Sequence, residues 1–435
     1  MAQGHTIAGS SMPATHPGRQ KGLGPIYIIG ILFFVFGFVT WTNSILIPYL
    51  KIACRLNNFE SYLVAFAFYI AYLVMAIPSA WLLKKTGFKN GMSAGLFIMA
   101  IGAVIFIPAA LTRQYGLFLT GLFVQGTGLA VLQTASNPYV TILGPIESAA
   151  KRISIMGIFN KVAGAIAPIV LGAITLKDAD ALKTRLTTLT EASKQVALNN
   201  LAHRVILPYI IIVIALVILA AVIYYITLPE VEAAEDSQAG KASAHSSIFQ
   251  FPHLMMGVLT IFVYVGVEVL AGDSIVNYGA SQGISLSTSK FFTACTMSGM
   301  IIGYIVGIIC IPRYFKQEKA LTVSAILGVI FSVFALITHG YTSVFCIALL
   351  GLANSLMWPA IWPLAIKGLG SFTKIGSSLL IMGIAGGALI PLLYGHIADM
   401  LNLQKAYIIL IPCYIIIWYF SVWGHRLTSN KNKLT

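Results

Sequence analysis

Apolar runs of about 20 residues recur from one end of the 435-residue chain to the other, and each is long enough to cross roughly 30 Å of hydrocarbon as a helix. Inside a bilayer a backbone has to satisfy its own polar groups, so a chain built of such runs folds as a bundle of transmembrane helices. The composition points the same way. The chain is 58% hydrophobic and 9% charged, with a mean hydropathy of +0.88, a balance that a soluble core of this size does not need. The expected fold class is an all-α polytopic membrane protein.

Twelve spans are expected, near residues 25–50, 60–83, 92–110, 117–143, 153–174, 205–228, 252–279, 289–311, 320–338, 343–366, 377–398 and 405–423. An even number places both termini on one side. With both termini cytoplasmic, roughly 16 Lys/Arg lie inside and 10 outside, and half of the latter fall in one long loop, Thr175–Arg204, where the positive-inside rule is weakest. The short loops carry the bias: Lys84, Lys85 and Lys89, then Lys151 and Arg152, then Arg313, Lys316 and Lys319. This distribution accounts for the net charge of +14 without a nucleic-acid partner. The segment Met1–Leu23 lacks an apolar h-region, so the first span is itself read as the targeting signal. Cys54, Cys295, Cys310, Cys346 and Cys413 are scattered, with neither disulfide nor metal spacing, and read as small packing residues.

Two connections are long. Thr175–Arg204 reads as an external, partly helical loop, and Pro229–Ser247 (PEVEAAEDSQAGKASAHSS) as a polar cytoplasmic linker. The expected organisation is a cytoplasmic tail over 1–24, a six-helix half over 25–228, the linker over 229–251, a second six-helix half over 252–423 and a tail over 424–435. The halves repeat. IFNKVAGAIAPIVLGAI from Ile158 matches IMGIAGGALIPLLYGHI from Ile381, pairing Gly164 with Gly387, Pro168 with Pro391 and Gly172 with Gly395. In spans one and seven, Asn43-Ser44-Ile45 sits opposite Asp273-Ser274-Ile275. Duplicated halves around a midplane site are the plan of a secondary transporter.

Charge inside the spans is the second constraint. Of 13 acidic residues, Glu268 and Asp273 alone sit well inside an apolar segment, the stretch FVYVGVEVLAGDSIVNYG from Phe262. Each costs about 2.5–3.5 kcal/mol to insert, and an intramembrane acid is by default functional. Glu268 reads as an ion- or proton-coupling site, or as the partner of a base on a facing helix. Asp273, five residues on, is about 140° round the helix and nearer the external end, which suits a surface-facing or gating role as well as coupling. Lys161 is the one base deep in a span, about 12 Å of helix rise from Ile153 and too far in to snorkel easily. Either it neutralises a span-seven acid in one state and releases it in another, or it forms a permanent ion pair.

FFVFGFVTWTNSILIPYLK in span one and GLFVQGTGLAVLQTASNPYVTILGPIESAAKR in span four resemble the fucose/glucose/galactose permeases of the major facilitator superfamily. The resemblance runs over essentially the whole chain and is nearest the glucose/galactose branch, which also holds N-acetylglucosamine permeases. It implies two pseudo-symmetric six-helix halves. In the fucose–proton symporters a span-one Asp and a span-four Glu are linked to recognition and coupling; those positions fall on Ser44 and Gln133. The family's span-five Asn is matched by Asn160.

A sugar needs amide, carboxylate and hydroxyl partners, and an aromatic ring against its apolar face. The candidates are Gln125, Gln133 and Asn137 in span four, Asn160 in span five, Asn43 and Ser44 in span one, Asn277 in span seven and Asn354 in span ten, with Trp41, Trp358 and Trp362 as stacking rings. Each amide could alternatively be interhelical glue. Trp358-Pro359 and Trp362-Pro363 are expected to break span ten. Leu83–Gly91 (LKKTGFKNG) resembles a reduced form of the superfamily's loop signature, without its Asp. Gly91-Met92-Ser93-Ala94-Gly95 fits G-x-S-x-G but opens a span rather than following a strand, and no Walker sequence occurs.

The sequence therefore reads as a permease of the cytoplasmic membrane that imports a neutral hexose by cation-coupled symport, acting as a monomer and using no cofactor, with H⁺ or Na⁺ as coupling ion. The alternatives are an uncoupled facilitator, a fucose or N-acetylglucosamine permease, a drug exporter and a non-transporting sugar sensor. No nucleophile–base set supports an enzyme.

Overall fold

The computed structural model describes residues 23–142, 149–226, 247–311, 314, 316–369 and 372–427. Most of the expected tails and most of the expected linker lie outside the described residues. Within them are eleven helical segments apolar and long enough to cross a membrane. The longest, Asn58–Thr112, has 55 residues, about 80 Å if straight, and it holds two spans. Gly87 adopts φ 74° and ψ 170°, open only to a residue without a Cβ, and the helix turns there. Packing shows the fold-back: a Cβ on Gly126 would lie 2.1 Å from the Phe68 carbonyl, and one on Gly102 would lie 2.6 Å from the Gln125 nitrogen. Phe68 and Gly102 thus meet neighbouring residues of span four. The expected loop at 84–91 is helical on both sides of Gly87, which corrects that boundary.

The other spans are Leu23–Trp41 with Asn43–Ala53 (one), Tyr115–Ile142 (four), Ala149–Thr175 (five), Ile206–Tyr225 (six) and Pro252–Asp273 with Ile275–Ser281 (seven). They continue with Phe292–Cys310 (eight), Gln317–Ile337 (nine), Gly340–Asn354 with Met357–Ile366 (ten), Thr373–Met382 with Gly386–Met400 (eleven) and Leu410–Val422 (twelve). The long connection after span five carries two helices, Ala179–Leu186 and Glu191–His203.

Spans one and seven both break beside the matched triplets, at Thr42 and Ser274, and the hydroxyls there take freed carbonyls. Thr42 Oγ1 donates to the Val39 carbonyl at 2.6 Å and Ser44 Oγ to that of Trp41 at 2.8 Å. Thr293 of span eight donates to the Gly272 carbonyl at 2.9 Å. Side chains from neighbouring helices satisfy what the break exposes. Span ten breaks at Ser355–Leu356, before Met357. The expected break at the two Trp-Pro pairs is corrected: Pro363 lies inside the second helical piece.

The halves meet through spans two and eleven and through spans five and eight, which exchange under the repeat. A Cβ on Gly387 would lie 3.0 Å from Tyr69 and one on Gly395 2.8 Å from Tyr62, while one on Gly157 would lie 3.1 Å from Tyr304 and one on Gly172 3.2 Å from Lys290. The repeated glycines Gly172 and Gly395 therefore both sit at the junction of the halves, where small residues let helices approach.

The face opposite the chain ends is tied shut by two carboxylates, one at each junction of the halves. Asp399, at the end of span eleven, accepts from the main-chain nitrogens of Asn58 at 3.0 Å and Phe59 at 2.7 Å, opening span two. Asp180, just after span five, accepts from Leu286 N at 2.9 Å and Ser287 N at 3.2 Å, before span eight. Each tie places a carboxylate of one half on the positive end of a helix in the other. Removing both, as Asp180→Ala/Asp399→Ala, is expected to shift the population roughly tenfold towards a state open at this face, about 1.4 kcal/mol. Spin-label distances across the face read the shift, and unchanged distances would show that the ties do not hold it shut.

Candidate functional site

Between the halves lies a cavity of about 150 Å³, with walls from spans one, two, four, five, seven, eight, ten and eleven. In its wall Lys161 Nζ is 2.7 Å from Glu268 Oε1, with 8% and 12% of the side chains exposed. Lys161 thus pairs with Glu268, settling which span-seven acid it meets. The ammonium also stands 4.5 Å from the centroid of the Trp41 ring, a cation–π contact that supports the charge away from water.

Trp41 is placed by glycines. A Cβ on Gly272 would lie 2.1 Å from its ring and one on Gly164 2.4 Å, so the indole fits notches in spans seven and five. Gly272 serves this contact, and the helix runs past it to Asp273 before breaking. The indole Nε1 donates to Asn160 Oδ1 at 3.4 Å, and Asn160 Nδ2 donates to the Phe33 carbonyl at 3.4 Å. Asn160 itself faces the cavity.

The remaining wall is aromatic. Tyr69, Tyr72, Tyr264, Tyr304 and Trp358 line the cavity, with Gln133 beside Tyr72. Tyr264 and Trp358 stand 6.3 Å apart at 47°. The cavity offers ring faces, amides and phenol hydroxyls around an ion pair whose charges already cancel. Such a wall suits an uncharged, polyhydroxylated small molecule, since a charged one would meet no free counter-ion. A larger recess of about 400 Å³ lies between spans eight and ten. Its wall is largely apolar, and Tyr341 and Phe345 there are well exposed on the outer surface of the bundle, so it offers no comparable recognition set.

Residues 29–387 match the family described as the Major Facilitator Superfamily. The chain belongs to the major facilitator superfamily. It is 36% identical over 426 residues to a glucose/galactose transporter of Brucella abortus biovar 1 (strain 9-941), covering 96% of this chain and 99% of that one. It is 30% identical over 417 residues to an L-fucose-proton symporter of Escherichia coli K12, covering 93% and 94%. The solved structure of a major facilitator transporter, FucP, in the outward conformation superposes with a TM-score of 0.71 at 30% identity, covering 92% of this chain and 99% of that one. The fold is that of a multi-pass membrane transporter, and not of an enzyme.

In this major facilitator bundle the sequence-derived candidates divide. Gln133, Asn160, Lys161, Glu268, Trp41 and Trp358 line the cavity. The rest do not. Trp362 stacks on Trp358 at 5.4 Å behind the wall. Asn354 accepts from the Tyr414 hydroxyl at 2.9 Å, and Ser44 is spent on the break in span one. Gln125 packs beside Gly102 between spans three and four. Asn43 is buried with neither amide atom paired, and Asn277 Nδ2 is also unpaired. The Asn137 side chain lies outside the described residues. Asp273 is fully buried, so the surface-facing position expected of it is corrected. The tyrosines Tyr69, Tyr72, Tyr264 and Tyr304 were not singled out by the sequence. Their only signal was a phenol in the middle of a span, at a position equally suited to packing.

Proposed function

We propose that this chain imports a neutral hexose of the glucose/galactose type across the cytoplasmic membrane together with a proton. The buried Lys161–Glu268 pair at the cavity, braced by Trp41 and Asn160, carries this reading. It is supported by the names of the relatives, a glucose/galactose transporter and an L-fucose-proton symporter.

In this reading Gln133 and Asn160 bond the sugar hydroxyls while Trp41 and Trp358 cover its apolar face. Glu268 responds to the driving ion, and Lys161 is its counter-charge. Asn43, Ser44, Gln125, Asn354 and Trp362 act behind the wall, holding the elements that form it. A proton needs only a carboxyl group that can take it, which the pair supplies. The basic short loops support a cytoplasmic position for both termini; in that orientation the face tied by Asp180 and Asp399 is external and the conformation is closed to the outside. One chain contains the whole site, so the monomer transports.

The test is labelled hexose uptake into proteoliposomes under an imposed proton gradient, repeated with a sodium gradient and with glucose, galactose, fucose and N-acetylglucosamine in competition. Accumulation under the proton gradient, competed best by glucose or galactose, is the expected result. Equilibration without accumulation under either gradient would mean a facilitator. Binding without flux would mean a sensor.

A further inference from the structure

We propose that Asp273 carries the transported proton through the closed state, and that Lys161 exchanges Glu268 for Asp273 as the proton moves the other way. This rests on the symport reading above.

Asp273 has no exposed surface, and neither carboxylate oxygen has a hydrogen-bond partner. An ionised carboxylate left in that setting costs several kcal/mol. Among the described residues the charges that bear on it are Lys161 and Glu268, and the ammonium is already 2.7 Å from Glu268. The groups facing it from span two are the phenols of Tyr62 and Tyr69, uncharged. On its own helix the Ser274 hydroxyl is taken by the Leu270 carbonyl and Tyr407. One cation therefore serves two carboxyl groups. The set is neutral only with a proton bound, and the carboxyl without the lysine is Asp273.

Position gives the two acids different sides. Glu268 lines the cavity, whose wall also includes Ile153 and Trp358, in the parts of spans five and ten nearer the face of the chain ends. Asp273 lies five residues further along span seven, about 7.5 Å of rise, behind the external closure. When the outer face is open, external water protonates the Asp273 carboxylate. After closure a rotation of the Asp273 side chain brings its carboxyl, unpartnered in this structure, onto the Tyr69 hydroxyl oxygen, and the acid gives that proton to it as Tyr69 passes its own to a Glu268 oxygen. Tyr69 is in the field of both carboxyls and lines the cavity. Neutralised Glu268 releases Lys161, which moves to the newly formed Asp273 carboxylate. Glu268 then yields its proton to cavity water, and the unloaded set returns with one net negative charge. One positive charge enters per cycle, as symport of a proton with a neutral solute requires.

The test is infrared spectroscopy of the reconstituted full chain at neutral pH, with carbon-13 in the aspartate carboxyl groups. A protonated-carboxyl band that shifts with the label and vanishes in Asp273→Asn is expected. The same variant should lose proton-driven accumulation, its ratio falling to unity, while hexose exchange stays within about twofold of wild type. A wild-type band that ignores the label, or an Asp273→Asn protein that still accumulates hexose, overturns the proposal. Wild-type protein that never accumulates hexose on a proton gradient refutes the symport reading itself, whereas accumulation in both proteins refutes only the role of Asp273. The label experiment needs no variant, so it decides the matter even where Asp273→Asn does not fold.

Discussion

Glu268→Gln is expected to abolish proton-driven accumulation of hexose while leaving hexose exchange across the membrane largely intact. The substitution keeps the shape and one carbonyl oxygen for Lys161, 2.7 Å away in the wild type, but removes the titratable group. Lys161 is then free to pair with Asp273, the other carboxyl in its field, so the site keeps a balanced charge. The cavity wall of Asn160, Gln133 and the aromatic rings remains. A carrier that binds sugar and alternates without a proton equilibrates its substrate and does no more. The accumulation ratio is expected to fall to unity, with exchange within about threefold of wild type, a loss of less than 1 kcal/mol. Loss of exchange together with accumulation would instead make Glu268 a sugar ligand.

Lys161→Ala is the second large effect, and it falls on stability. It leaves two carboxyl groups in one buried site without a cation and empties the space under the Trp41 ring. Removing one member of a buried ion pair costs about 3–5 kcal/mol, because the survivor is uncompensated. The double variant Lys161→Ala/Glu268→Gln is expected to recover more than half of that loss, since it removes the orphaned charge as well. Thermal stability of the detergent-solubilised protein measures both. Equal destabilisation in the single and double variants would show that the lysine stem, and not its charge, does the packing.

Much of the architecture was legible because the bilayer imposes it. Apolar length fixed the number of crossings, and the Gly164/Gly387, Pro168/Pro391 and Gly172/Gly395 register predicted halves related by symmetry. Lys161 and Glu268 stood out because charge inside a span is rare. What stayed hidden depends on the third dimension. Gln125, Asn43 and Asn354 have the same composition signal as Asn160, yet only a facing helix decides whether an amide meets a cavity or a neighbour. Tyr69 looks like a core residue until Glu268 of span seven is set beside the same cavity, and Tyr264 looks like one although it lies one turn before Glu268 on the same helix. The bend at Gly87 was invisible as a helix because Lys84, Lys85 and Lys89 read as a polar loop, although three basic side chains are compatible with a helix end at a membrane surface. The span-ten break fell at Ser355 rather than at the prolines because Pro359 sits in the first turn of the second piece, where a missing N–H leaves no bond unmade.

The central claim is that hexose entry carries a proton through the pair on spans five and seven. The most direct measurement adds hexose to lightly buffered proteoliposomes with no imposed gradient, membrane potential clamped, and follows the external pH. The wild type is expected to alkalinise the medium as hexose enters, and Glu268→Gln to admit hexose without a pH change. Hexose entry in the wild type at constant external pH would contradict the account.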